Sequence, residues 1–152
     1  MNFPPKFLEY SSSLGLKLTL MRKEVLYILW CEKRPLKAYE ILDNLLKFKL
    51  NSQPPSVYRT LVFFSSHGVV HKIESIQSYM LCCQPIRHLE SELLMVCSIC
   101  HQVIEVHDPV VQSLVLKLAE ENTFRLKQDT IELKGTCQRC LARNSATPCT
   151  KT

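Results

Sequence analysis

Two cysteine pairs of the same spacing, Cys97-Ser98-Ile99-Cys100 and Cys137-Gln138-Arg139-Cys140, constrain this chain more than any other feature. Two residues between cysteines let both thiolates of a pair face one tetrahedral centre, and two such pairs complete a four-cysteine zinc site. Four thiolates close the coordination shell, so the expected role of the metal is structural. Disulfides or free buried thiols are the plain alternative, and the compartment decides between them. No stretch approaches the ~20 apolar residues that cross a bilayer. Residues 1–20 contain no continuous apolar core followed by a small-residue cleavage site, so no signal peptide is expected. The chain is therefore expected in the cytoplasm, where thiols stay reduced unless a metal holds them.

Charge separates the chain into two halves. Residues 1–83 carry eleven Lys or Arg against six Asp or Glu, whereas residues 84–152 balance eight against eight. Six of the eight cysteines lie from Cys83 onward. A basic half beside a cysteine-rich half suggests a polyanion-binding domain joined to a metal domain.

The basic half reads as three helices and a hairpin. Thr19 can cap a helix to about Cys31 with Met21, Val25, Ile28 and Leu29 on one face. A second helix, about residues 37–48, aligns Ala38, Ile41, Leu42 and Leu45. Pro54-Pro55 opens a third that buries Val57, Leu61 and Phe64 and stops at Gly68. Strand-like runs at 69–73 and 78–82 flank a polar turn at 74–77. Three helices and a hairpin make a winged helix-turn-helix, whose third helix is the candidate for the major groove. On it Ser56, Arg59 and Thr60 fall at i, i+3 and i+4 with Tyr58 beside them, donors suited to bases and phosphates.

The second half begins after a linker at about 84–92. Strands are expected at 93–96 and 102–106. A helix from Asp108-Pro109 to about Asn122 would turn Val111, Leu114, Val115 and Leu118 inward, and 123–133 reads as a last strand. The polar tail after residue 141 lacks periodicity and reads as disordered.

The run Gln53-Pro54-Pro55-Ser56-Val57-Tyr58-Arg59-Thr60-Leu61 with His67-Gly68-Val69-Val70-His71-Lys72 resembles the ferric uptake regulator (Fur) family. Ala38-Tyr39-Glu40-Ile41-Leu42 and the two cysteine pairs extend the resemblance over about residues 10–141. The runs 71–75 and 78–82 look most like its zinc uptake regulator branch. Thr19-Leu20-Met21-Arg22 departs from the family pattern, which has proline and glutamine before the arginine. The linker also lacks the usual histidine-rich run and offers only His88.

The resemblance implies an α+β fold: a winged-helix DNA-binding domain at 1–83, a linker at 84–92 and an α/β dimerisation domain at 93–141 holding the four-cysteine zinc. It implies a homodimer that represses transcription from a double-stranded, palindromic operator when its metal is bound. It also implies a regulatory zinc site made of His71, Cys82, His88 and Glu105, giving one structural and one regulatory Zn2+ per subunit. Cys83, Glu90, His101 and His107 are further ligand candidates. Adjacent strand residues point to opposite faces, so only one of Cys82 and Cys83 is expected to join. Cys31 reads as a helix cysteine and Cys149 as incidental. Three rivals remain at this stage. An iron or peroxide sensor favours N and O ligands, against Cys82. A zinc hydrolase on His71, His88 and Glu105 would find its open position closed by Cys82 and has no paired general base. A zinc-ribbon module binding acidic partners is the third.

Overall fold

The computed structural model describes residues 2–48, 53–85, 93–126 and 130–145, and the chain divides into two compact units, residues 1–88 and 89–152.

The first unit runs α1 (Pro5–Ser13), α2 (Leu20–Glu32), α3 (Ala38–Leu46), α4 (Pro54–Ser66), β1 (Val70–Ile73), a 3-10 turn (Glu74–Ile76) and β2 (Ser78–Leu81). Local chemistry sets the helix ends. The Thr19 hydroxyl accepts from Arg22 N–H at the start of α2. The Glu40 carboxylate accepts from Lys37 N–H at 2.8 Å at the start of α3. Gly68, at φ +67°, ends α4 and turns the chain into the wing. β1 and β2 pair antiparallel, and Leu36 exchanges both backbone hydrogen bonds with Tyr79, so β2 is bordered on both sides. Val25, Leu26, Leu29, Ile41, Leu45, Val57, Leu61 and Phe64 form one buried core with Leu36, Val69 and Val70. The three expected helices and hairpin are all present.

α1 adds a helix that the sequence reading lacked. It has no side-chain cap, and Phe7, fully buried, holds it by edge-on packing against Tyr27 and Trp30 of α2.

The second unit runs β3 (Leu93–Cys97), β4 (Val103–Val106), α5 (Pro109–Glu121), β5 (Ile131–Gly135) and α6 (Gln138–Ser145). The sheet order is β4-β3-β5, with β3 antiparallel to β4 and parallel to β5. Asp108 caps α5 by accepting from Val110 and Val111 N–H. Three expectations change here. The last strand, expected over 123–133, is β5 at Ile131–Gly135, and Thr123 takes the left-handed conformation at φ +50°. Leu114 and Leu118, expected inside, are 54% and 59% exposed, because α5 covers little of this small sheet. α6 starts within the second cysteine pair and continues to Ser145, past the domain end expected at 141. Residues 146–152, Cys149 among them, lie outside the described residues.

Candidate metal centre and nucleic-acid interface

Topology brings the two cysteine pairs together. The first lies in the β3–β4 turn, where Cys97 N–H donates to Gln102 C=O and His101 takes the left-handed conformation at φ +58°. β5 runs parallel to β3 and ends with Gly135 opposite Cys97, and Ser98 N–H donates to Gly135 C=O at 2.8 Å. The chain leaving β5 therefore emerges beside the first pair. The Sγ atoms of Cys97, Cys100, Cys137 and Cys140 lie within 4.8 Å of one another, with Cys100 and Cys137 at 3.7 Å. Thiolates at about 2.3 Å from a tetrahedral zinc stand about 3.8 Å apart, so this donor set fits the ion.

The thiols are prepared unequally for losing their protons. Backbone N–H groups, that of Cys100 first and that of Cys137 next, bring the Cys97 thiol down to about 6. The Gln102 N–H is the main cause lowering Cys100. Burial pushes Cys140 up to about 12, with hydrogen bonds to the other thiols adding to it. Arg139, inside the second pair, points a guanidinium nitrogen at Cys100 Sγ (3.9 Å) and at Gln102 Oε1 (3.4 Å), offsetting thiolate charge. His101 belongs to no cluster of metal-binding side chains among the described residues; its place is the turn.

The wing carries a second pair of donors. His71 faces Met80 across the hairpin, and Cys82, two residues beyond Met80, shares that face. A ring nitrogen of His71 and the Cys82 Sγ lie within 4.8 Å, and both residues are buried. Cys83, in the bend that follows β2, is exposed where Cys82 is buried. Gln84 N–H donates to Cys82 Sγ at 3.3 Å. Tyr10 of α1 is a neighbour the sequence reading missed: burial, then the nearby Cys82, push its phenol up to about 12. In the second unit Glu105 on β4 stands 3.6 Å from His107 Nε2. His88 and Glu90 lie outside the described residues.

α4 presents Tyr58 and Arg59 to solvent, with Ser56 half-buried before them. Thr60 is a correction. It is only 5% exposed and its hydroxyl donates to Ser56 C=O at 2.8 Å, so it belongs to the buried flank of the helix. The i, i+4 spacing from Ser56 places it between the two faces, and packing against the core decides the side. Thr60→Val is accordingly expected to leave DNA affinity within about twofold of the parent and to cost about 1 kcal/mol of stability or less, checked by urea unfolding beside a DNA titration. At the departure from the family pattern, Arg22 places its guanidinium 3.4 Å from the centroid of the Phe63 ring on α4. Phe63 packs in turn against His67, whose Nδ1 lies 2.7 Å from Phe63 C=O. The start of α2 is thus fastened to the end of α4.

A winged helix with a cationic and aromatic helix face, followed by a small α/β unit closed by four convergent thiols, defines a metal-binding protein of the winged-helix class. The chain belongs to the ferric uptake regulator family, whose model matches residues 13–134. It is 33% identical over 127 residues to the zinc uptake regulation protein of Escherichia coli (strain K12), covering 84% of this chain and 74% of that one. Among solved structures it is similar to a zinc uptake regulator complexed with zinc and DNA, at TM-score 0.81 and 30% identity over 93% of this chain and 94% of that one. Holo XcZur is similar at TM-score 0.78 and 33% identity, covering 90% and 98%.

Proposed function

We propose that this chain is a zinc-responsive, DNA-binding transcriptional repressor that acts in the cytoplasm as a homodimer. The observation that carries the reading is the buried His71–Cys82 pair in the wing that follows a helix offering Tyr58 and Arg59 to solvent. In this reading residues 1–83 bind DNA, 84–92 link, and the α/β unit dimerises. Exposed Met95, Ile104 and Leu133 lie side by side across the three strands, and Leu114 and Leu118 of α5 are equally uncovered. So much apolar surface on so small a unit favours a second copy as its cover.

Cys97, Cys100, Cys137 and Cys140 would hold a structural zinc. His71, Cys82, His88 and Glu105 would hold the regulatory one, with Cys83 and His107 as the donors nearest to competing with them. Zinc bound by nitrogen, sulfur and oxygen supplies a cross-link and no redox chemistry. The Cys82 thiol disfavours harder ions such as manganese, and it sets this site apart from the N and O donors of an iron sensor. Ligands drawn from wing, linker and second unit can all bind one ion only in certain orientations of the two units. That gives the differential affinity a switch requires. The relatives named as zinc uptake regulators and the neighbour bound to zinc and DNA support the same reading.

The test is fluorescence anisotropy on duplexes selected from a random pool by zinc-loaded protein. Zinc is expected to tighten binding and a chelator to reverse it; affinity indifferent to zinc would overturn the reading. Arg59→Ala is expected to weaken binding by about 1–3 kcal/mol if Arg59 reads a base, with zinc content and dimerisation unchanged. Equal weakening on every sequence would make it a phosphate contact.

A further inference from the structure

The side of α4 turned from the core holds one residue that neither the fold nor charge explains. Val57, Thr60, Leu61 and Phe64 form the inward stripe of this helix. Opposite them Pro55, Tyr58, Arg59 and Val62 are exposed, Tyr58 at 52% and Val62 at 64%. Valine is a poor choice for a solvated helix position: its branched side chain lowers helix propensity, and here it gains little burial in return. Its position is more informative than its exposure. Residues 55, 58, 59 and 62 stand at i, i+3, i+4 and i+7, the spacing with which homeodomain recognition helices place four side chains against the major groove. Helical side chains lean toward the N-terminus, so Val62 leans over the turn that carries Tyr58 and Arg59. On that face it adds a rigid pair of methyl groups one turn from the exposed Arg59 guanidinium.

Resting on the repressor reading above, we infer that Val62 is a specificity-determining residue that packs against the C5-methyl group of a thymine in the operator. The major groove presents one apolar group, the thymine methyl, which distinguishes T·A from the other pairs and accepts contact from small apolar side chains. Valine can recognise this group and can make no hydrogen bond with a base edge or phosphate. Arg59 and Val62, one turn apart, would then read neighbouring base pairs by unlike chemistries.

Deoxyuracil differs from thymine only by the missing methyl, so substituting it tests the contact without changing base pairing. Zinc-loaded parent and Val62→Ala are titrated, by anisotropy, against the pool-selected duplex and against copies in which each thymine in turn is replaced by deoxyuracil. Alanine raises helix propensity, so the variant is expected to fold. At one thymine per half-site the parent is expected to lose about fourfold in affinity on uracil, the factor for withdrawing one methyl group from an apolar contact. Val62→Ala should be weaker than the parent on the thymine duplex and indifferent to uracil at that same position. If the parent binds but no uracil position has an effect that depends on Val62, the assignment is wrong and the residue faces something other than the groove. If no duplex binds the zinc-loaded parent at all, the repressor reading falls and takes this inference with it.

Discussion

Cys97→Ser is expected to unfold residues 89–152 and with them the dimer. Measured on the full chain, the variant should lose one zinc per subunit, sediment as a monomer and lose the circular dichroism of the second unit. The reason lies in how little else holds that unit. Among the described residues its buried aliphatic side chains amount to Leu94 and Val96, joined by Ala119 at 9% exposure, and the ends of β3 and β5 meet at the cysteine pairs. Apparent binding free energies of structural zinc, about 10–16 kcal/mol in small metal-dependent folds, are folding free energy. Serine stays protonated near neutral pH and is a poor ligand, so three thiolates remain around an opened shell. Cys137→Ser should behave alike. Cys31→Ser, at an exposed position of α2 in the other unit, should retain full zinc and dimer. A Cys97→Ser chain that sediments as a folded dimer with full zinc content would show that these four thiols do not hold a structural metal.

What was legible in the sequence follows the range of the interaction that decides it. Thr19, Gly68 and Asp108-Pro109 announce helix ends because caps and turns are settled within four residues, and the structure has helix boundaries at each. The four cysteines were legible because tetrahedral coordination imposes its spacing on the chain. α1 was not: with no side-chain cap and only nine residues, it is held by Phe7 against Tyr27 and Trp30, partners twenty or more residues away that periodicity cannot see. Thr60 was assigned to the wrong flank for a similar reason, since the spacing fixes a stripe but the packing of α4 on α2 and α3 fixes its rotation. Leu114 and Leu118 carry a core pattern and are exposed in the single chain, as expected if their core is shared with a second copy. His71 and Cys82 were named from resemblance, and the hairpin register of the structure is what puts them on one face. The partners proposed for them from beyond the wing came from resemblance too.

The second large effect is expected at Cys82. Cys82→Ser should give a folded dimer that keeps its four-cysteine zinc yet no longer binds DNA more tightly when zinc is added. The wing does not depend on the thiol for its folding: β1 and β2 are paired through backbone, and Leu36 and Ile73 are fully buried independently of it. What the substitution removes is a donor within 4.8 Å of the His71 ring, on the buried face of the wing. A thiol sheds its proton on binding zinc, whereas an alcohol does not at neutral pH. The zinc midpoint for DNA binding should therefore rise by about 100-fold or more, beyond the 10–100-fold that loss of an outer partner costs at such sites. Cys83→Ser is the matched control, because Cys83 is exposed where its neighbour Cys82 is buried. Zinc titrations of both variants, read by anisotropy on the pool-selected duplex, decide the matter. An unchanged midpoint in Cys82→Ser with a lost response in Cys83→Ser would move the regulatory thiol one residue on. Unchanged responses in both would remove the wing from metal sensing altogether. The predicted contrast requires one thing of the wing: that only the inward thiol can bind the ion His71 binds.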